Sequence, residues 1–134
     1  MRQKNRLMTV ARRSLSVLGL LLATSACAAG CGSTMDDRPP RWSVISPTIV
    51  QPSCASVSCH SEIAQTAGVD LHDRAEGWDV LVGRLFVEPG NRNDSELMWL
   101  LRGEGNIRMP PDFVLPAADI ELIGRWIDAG ATYD

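Results

Sequence analysis

The sequence predicts a small all-α domain in residues 44–134, and three observations lead to this prediction. Apolar residues recur at helical spacing in four segments, and prolines and glycines lie at the ends of those segments. No stretch alternates apolar and polar residues as a half-buried strand would. The chain has 134 residues, 45% of them apolar and 22% charged, which is the ordinary composition of one globular domain and excludes a large multidomain enzyme.

Residues 1–30 are typical of an export signal. Five basic residues precede an apolar run over residues 15–23, which is about half the length that spans a bilayer. Small residues then lead to Cys31, and Ala28-Ala29-Gly30-Cys31 resembles the lipobox of bacterial lipoproteins. We therefore predict lipidation at Cys31, with Cys27 as the second candidate. A plain signal peptide that is removed together with both cysteines stays open as the alternative.

Charge is distributed unevenly along the chain. From Cys31 onward there are eight arginines, no lysine and sixteen carboxylates, a net charge of −8. Such a surface repels phosphate backbones, which argues against nucleic-acid binding and favours basic protein partners. Residues 31–43 contain no apolar period and end near Pro39-Pro40, so they are expected to be a flexible linker to the domain.

The first two predicted helices differ in regularity. The first, from Val44 to about Cys59, is expected to be irregular because Pro47 and Pro52 interrupt it. The second spans residues 74–85 with Asp73 as N-cap. Its predicted face is formed by Trp78, Leu81, Val82 and Leu85.

The last two predicted helices flank a proline-rich loop over residues 104–115. Helix three is expected to begin at Asn93, in capping-box spacing with Glu96, and to stop at Gly103. Its predicted buried residues are Leu97, Leu100 and Leu101. Helix four opens at Pro116 and ends at Gly130. Its predicted stripe is Ile120, Ile123 and Ile127, with Leu122 and Trp126 beside it.

The most informative segment is Cys54-Ala-Ser-Val-Ser-Cys59-His60. In a c-type haem site two thiols form thioethers to the porphyrin, and the histidine after the second thiol binds the iron. The usual spacing is C-x-x-C-H, whereas four residues separate the cysteines here. The second indication is Met109-Pro110-Pro111, because a thioether is a weak ligand that needs a stiff backbone to hold it on a metal.

With these motifs, residues 44–131 resemble a small class I type cytochrome c domain, similar to those of exported planctomycete and myxobacterial proteins. The turn at Val87-Glu-Pro-Gly90 and the ending Trp126-Ile-Asp-Ala-Gly-Ala131 also match that family's pattern. The resemblance implies three to five helices around one covalent haem c. It also implies Cys54 and Cys59 as attachment sites, His60 as proximal ligand and Met109 as distal ligand.

The function that this resemblance implies is that of a monohaem electron carrier, and not an enzyme, in the bacterial envelope. The protein would face the periplasm, and the lipid anchor would hold it on a membrane. The outer membrane is favoured, because Gly32 stands where many inner-membrane lipoproteins have an aspartate. Its partners would be redox proteins. The alternative is a haem-free lipoprotein closed by a Cys54–Cys59 disulfide, acting as a binding or envelope-structural module.

The sequence also predicts the surroundings of residues outside these motifs. Met98 is expected in the core, His72 in solvent unless it is a sixth iron ligand, and Trp126 nearest the porphyrin. A zinc site lacks a fourth ligand at sensible spacing. The carboxylates Asp36, Asp37, Asp70, Asp73 and Asp112 form no recognisable pair with a nucleophile and are expected to be solvated charges at caps and loops.

Overall fold

The computed structural model describes residues 36–134; the predicted signal peptide, both candidate lipid cysteines and the first part of the linker lie outside them. Within residues 36–134 the secondary structure is entirely helical, which confirms the predicted all-α class. None of the helices in this part of the chain is long and apolar enough to cross a membrane. The elements are α1 (Trp42–Ile45), a π-helical segment (Ser46–Val50), α2 (Gln51–Cys54), a 3₁₀ turn (Thr66–Gly68), α3 (Arg74–Gly83), α4 (Glu96–Arg102) and α5 (Ala117–Asp128).

The first helical segment is irregular, as its two prolines predict. α1, the π-helical segment and α2 succeed one another without a break, and Pro47 and Pro52 each lie in the first turn of their element. A proline cannot donate the backbone hydrogen bond of a regular helix, so the regular pattern cannot run through either position. The segment begins two residues before the predicted Val44 and ends at Cys54, because Ala55 leaves the helical region of φ and ψ.

α3 begins directly after Asp73, the predicted N-cap. The Asp73 carboxylate accepts hydrogen bonds from the backbone N–H groups of Ala75, at 2.8 Å, and Glu76, at 3.2 Å. These bonds hold the pKa of Asp73 below its ordinary value. The far end differs from the prediction: the helix ends at Gly83, and Leu85 is 72% exposed instead of sharing the buried face.

The cap of α4 lies two residues later than predicted. Its N-cap position is Ser95, not Asn93, because the side chain of Asn91 instead folds residues 91–94 into a turn by accepting from the N–H of Asn93 at 3.1 Å. The Ser95 hydroxyl is fully buried and donates to the carbonyl of Asn91 at 2.8 Å. Leu101 is buried as predicted, whereas Leu97 and Leu100 are half-buried.

α4 and α5 both end at a glycine, as predicted, and in the same geometry. Gly103 has a φ of 69° and Gly130 a φ of 102°, backbone conformations that glycine adopts without strain. Each helix end is closed by two bonds: at α5, Gly130 N–H donates to Ile127 and Ala131 N–H donates to Trp126. This paired pattern satisfies carbonyl groups that a helix terminus otherwise leaves free.

The core lies where α1 packs against α3 and α5, and α4 also packs against α5. At its centre the rings of Trp42 and Trp126 stack with centroids 5.0 Å apart. Their indole nitrogens donate to the carbonyls of Arg74, at 2.7 Å, and Thr132, at 3.0 Å, so neither buried N–H lacks a partner. Met98 is 1% exposed and belongs to this core, as predicted.

The described part of the predicted linker is held against α5. The Arg38 guanidinium pairs with Asp36 and with Asp119 of α5, and Arg125 donates to the carbonyls of Asp36 and Arg38. The Arg38 hydrogen bonds hold the pKa of Asp36 at about 2. These arginine contacts join residues 36–38 to α5, because guanidinium groups satisfy the Asp36 carboxylate and the carbonyls of Asp36 and Arg38.

Candidate functional site

A cavity of about 440 Å³ opens between α2, α4 and the loops that come after each of them. This volume lies within the range of cofactor and small-molecule sites. Cys54, Cys59, His60 and Met109, the four residues predicted to hold a cofactor, all line this one cavity. Most of the remaining wall is apolar, formed by Val69, Leu71, Leu81, Phe86, Leu97, Leu100, Leu101 and Ile107.

The two cysteines are brought together by a short hydrogen-bonded loop. The N–H of His60 donates to the carbonyl of Cys54 at 3.1 Å and so closes the segment between them. Inside it, Cys59 N–H donates to Ser56 at 3.0 Å in a tight turn, and Val57 at the tip is 80% exposed. The tip of the longer spacing therefore projects into solvent at Val57, and both cysteines still line the cavity.

Both cysteines in the described part of the chain are free thiols. Burial, and to a smaller extent the neighbouring Cys59, raises the pKa of Cys54 to about 11. Cys54 is therefore protonated at neutral pH. A protonated thiol is a poor nucleophile for disulfide exchange, since the thiolate is the reactive form.

His60 is half-buried and presents one ring nitrogen to the backbone. Its Nδ1 lies 3.3 Å from the carbonyl oxygen of Val69. Because a carbonyl oxygen can only accept, Nδ1 is the donor in this contact, and Nε2 is the ring nitrogen that the contact leaves free. A metal-binding histidine commonly has this arrangement, in which a hydrogen bond at one nitrogen fixes the tautomer and leaves the other free to bind.

Met109 approaches the cavity from the loop after α4. Its backbone N–H donates to the carbonyl of Leu100 at 2.9 Å, and this bond ties the loop to the helix that forms one cavity wall. The next residue, Pro110, is buried and also lines the cavity, so the backbone beyond Met109 has little freedom. The backbone that carries the thioether is therefore held on both sides, as a weak sulfur ligand requires.

This donor set fits covalent haem c better than a bare metal ion. Two thiols, an imidazole with a free Nε2 and a thioether line one apolar cavity, and these are the groups that attach and ligate haem. Within residues 36–134 no three His, Cys, Asp or Glu side chains cluster so that they could hold a metal ion by themselves.

The family model described as Planctomycete cytochrome C matches residues 57–112 of the chain. The resemblance to a cytochrome c family is thereby confirmed over these residues. The matched residues include Cys59, His60 and Met109, whereas Cys54 lies three residues before their start. No curated protein and no solved structure matches the chain.

Two expectations about neighbouring residues were wrong. Trp126 does not line the cavity, because it stacks on Trp42 and its indole N–H is bound to Thr132. Asp70 is not solvated but 7% exposed, and it accepts a hydrogen bond from His72 Nδ1 at 2.7 Å. This bond lowers the pKa of Asp70 and raises that of His72 from their ordinary values.

The residues that support His60 were not predicted from the sequence. The carbonyl of Val69 receives the imidazole proton, yet nothing in a valine side chain indicates that role. A usable signal was the short spacing of Asp70 and His72 near the end of the loop after His60, since carboxylate and imidazole groups two residues apart readily pair.

Proposed function

We propose that this protein is an exported, lipid-anchored monohaem c-type cytochrome that transfers single electrons in the cell envelope. The observation that carries the proposal is the convergence of Cys54, Cys59, His60 and Met109 on one apolar cavity. The family match supports the same class of protein.

Each of the four residues has a definite task in this proposal. The thiols of Cys54 and Cys59 would attach the haem through thioether bonds, and Nε2 of His60 and the sulfur of Met109 would be the protein ligands of its iron. Bound haem iron supplies a ferric/ferrous couple that exchanges one electron at a time. If His60 and Met109 both ligate the iron, no ligand position would be left for a substrate, which favours an electron carrier over an enzyme.

Two features of the protein would shift the reduction potential of the haem in opposite directions. The apolar wall and the Met109 thioether favour the less charged ferrous state and raise the potential. The sixteen carboxylates against eight arginines from Cys31 onward favour the ferric state and lower it. The same excess of negative charge would recruit a basic redox partner and would keep the protein off nucleic acids.

The electron-carrier proposal is tested on protein made in a periplasm with cytochrome c maturation machinery. We expect a Soret band, a reversible one-electron wave in voltammetry, and no spectral change when cyanide is added to the ferric protein. Rapid cyanide binding with turnover of peroxide would show an open iron position and would overturn the carrier role. A colourless preparation would leave the haem-free, disulfide-closed lipoprotein as the function to pursue.

Anchoring is tested separately at the lipobox-like segment. We expect Cys31→Ala to move the protein from the membrane fraction to the soluble periplasm, because Cys31 would no longer carry the lipid. Cys27→Ala is the matched control and is expected to leave the protein on the membrane. Release by Cys27→Ala alone would assign the lipid to Cys27, and retention of both variants would remove the anchor from the proposal.

A further inference from the structure

Asp70 is a buried carboxylate that lies beside the cavity without lining it. It is 7% exposed and accepts three hydrogen bonds: from His72 N–H at 3.1 Å, from His72 Nδ1 at 2.7 Å and from Gln65 Nε2 at 3.2 Å. A buried charge is costly unless it is paired and hydrogen-bonded, and these bonds meet that requirement. Asp70 therefore joins residues on both sides of itself into one cluster.

The two neighbours of Asp70 in the chain both hold His60. The carbonyl of Val69 accepts from His60 Nδ1 at 3.3 Å, and the N–H of Leu71 donates to the carbonyl of His60 at 2.8 Å. Val69 and Leu71 also line the cavity. Val69 thus holds the imidazole of His60, and Leu71 holds its backbone. Asp70 lies between them and holds the segment 69–71 in place.

The loop between His60 and Val69 is exposed and is held mainly by hydrogen bonds within itself. Residues 62–68 are all exposed, and Gln65, Ala67 and Gly68 have positive φ values of 41°, 58° and 72°. Two of these three residues carry a side chain, for which such a backbone is strained. Side chains anchor this loop at three places: the buried Ser61 hydroxyl accepts from Ala64 N–H at 3.1 Å, Arg84 donates to the carbonyl of Gly68 at 2.6 Å, and Gln65 donates to Asp70 at 3.2 Å. Of these, the Asp70 bond is the one nearest to Val69 and Leu71 in the chain.

We infer that Asp70 is a positioning residue for His60, holding residues 69–71 so that the imidazole keeps its bond to Val69 and offers Nε2 to the cavity. The inference rests on the proposed function. A hydrogen bond at the second nitrogen orients a histidine ligand and makes it more basic, which stabilises the ferric iron. Loosening the segment should therefore raise the reduction potential and disturb the orientation of the imidazole.

The test compares Asp70→Asn with Asp73→Asn in the haem-loaded protein. Both variants remove one negative charge from the same short stretch, but the bonds of Asp73 go to the first turn of α3. The readouts are the reduction potential, the hyperfine-shifted haem methyl resonances of the ferric form, and hydrogen exchange at the Leu71 amide. We expect Asp70→Asn to raise the potential more than the control does, to reorder the methyl shifts, and to speed exchange about ten-fold or more.

Equal potentials, methyl patterns and exchange rates in the two variants would overturn the inference. If Asp70→Asn does not fold, His72→Gln takes its place, since it removes the 2.7 Å bond from a side chain that is 41% exposed. If the intact mass shows no haem, the proposed function fails. Exchange at Leu71 in that same sample still decides whether Asp70 holds the segment around His60.

Discussion

The described domain has two sides that are built differently. On the helical side, α1, α3 and α5 meet around the stacked Trp42 and Trp126, which are 1% exposed. On the cavity side, α2, α4 and the loops over residues 55–72 and 103–115 surround about 440 Å³ lined by thiols, an imidazole and a thioether. The helical side is determined by close packing of apolar side chains. The cavity side is determined by turns and backbone hydrogen bonds that deliver a few chemically distinct groups to one place.

The sharpest way to separate the two sides is to remove both thiols. We expect the double variant Cys54→Ser, Cys59→Ser to carry no covalent haem, because serine cannot form the thioether bonds. The helical side should still fold, since the Trp42–Trp126 stack includes no cavity residue. Intact mass measures the first effect and near-ultraviolet circular dichroism the second. Loss of the tryptophan signal together with the haem would contradict the division into two sides.

On the helical side, Trp126→Ala should be severely destabilising. Truncating a buried tryptophan leaves a cavity, and the expected cost is about 3–5 kcal/mol of unfolding free energy, measured by urea denaturation. Trp99→Ala is the matched control, since Trp99 is 51% exposed. We expect the control to change stability by about 0.5 kcal/mol. Similar losses in the two variants would mean that the stack does not organise the core.

Truncation of Met109, on the cavity side, and of Met98, on the helical side, should change different properties of the protein. Met109→Ala is expected to abolish the sulfur-to-iron charge-transfer band of the ferric protein and to lower the potential. Met98→Ala should keep the band, because Met98 is 1% exposed in the core, but should cost about 2–5 kcal/mol of stability. Near-infrared absorption and urea denaturation distinguish the two effects. An unchanged band in Met109→Ala would remove Met109 from the site.

The smallest expected effect concerns the Cys54 thiol in haem-free protein. With its pKa at about 11, only about a thousandth of Cys54 is thiolate at pH 8, so iodoacetamide should modify it slowly. The rate should rise about ten-fold per pH unit up to about pH 11. Unfolded protein, with the ordinary pKa of 9.0, is the control and should react faster at pH 8.

The raised pKa of Cys54 also has a consequence for stability. Because the folded pKa of Cys54 lies above the unfolded one, its contribution to stability is complete below about pH 9 and is lost as the pH rises from 9 towards 11. Equal alkylation rates in folded and unfolded protein at pH 8 would contradict the burial of this thiol.

Much of the helical side could be predicted from the sequence, and the reasons are local. Asp73 and Gly130 marked helix ends through their own chemistry, and Ile123 and Ile127 marked a buried stripe by their spacing. The start of α4 was missed because Asn91, outside the predicted cap, competes for the backbone N–H groups of the turn after it. The turn chemistry of a neighbouring residue overrode the capping pattern.

The candidate site was predictable only in its covalent and ligating groups. Cys59-His60 and Met109-Pro110 have side chains whose chemistry is visible in the sequence. The carbonyl of Val69 and the buried state of Asp70 depend on how the loop returns to His60, and side-chain type does not encode that path. Trp126 was expected nearest the porphyrin, whereas packing puts it against Trp42.

The central claim is that Cys54 and Cys59 hold one haem covalently in the cavity that they share with His60 and Met109. It is tested by the intact mass of the denatured protein after periplasmic expression with maturation machinery, together with a pyridine haemochrome spectrum. We predict a mass increased by one haem and the spectrum of two saturated vinyl groups. A mass lower by two hydrogens, with no haem, would show a disulfide and would contradict the claim.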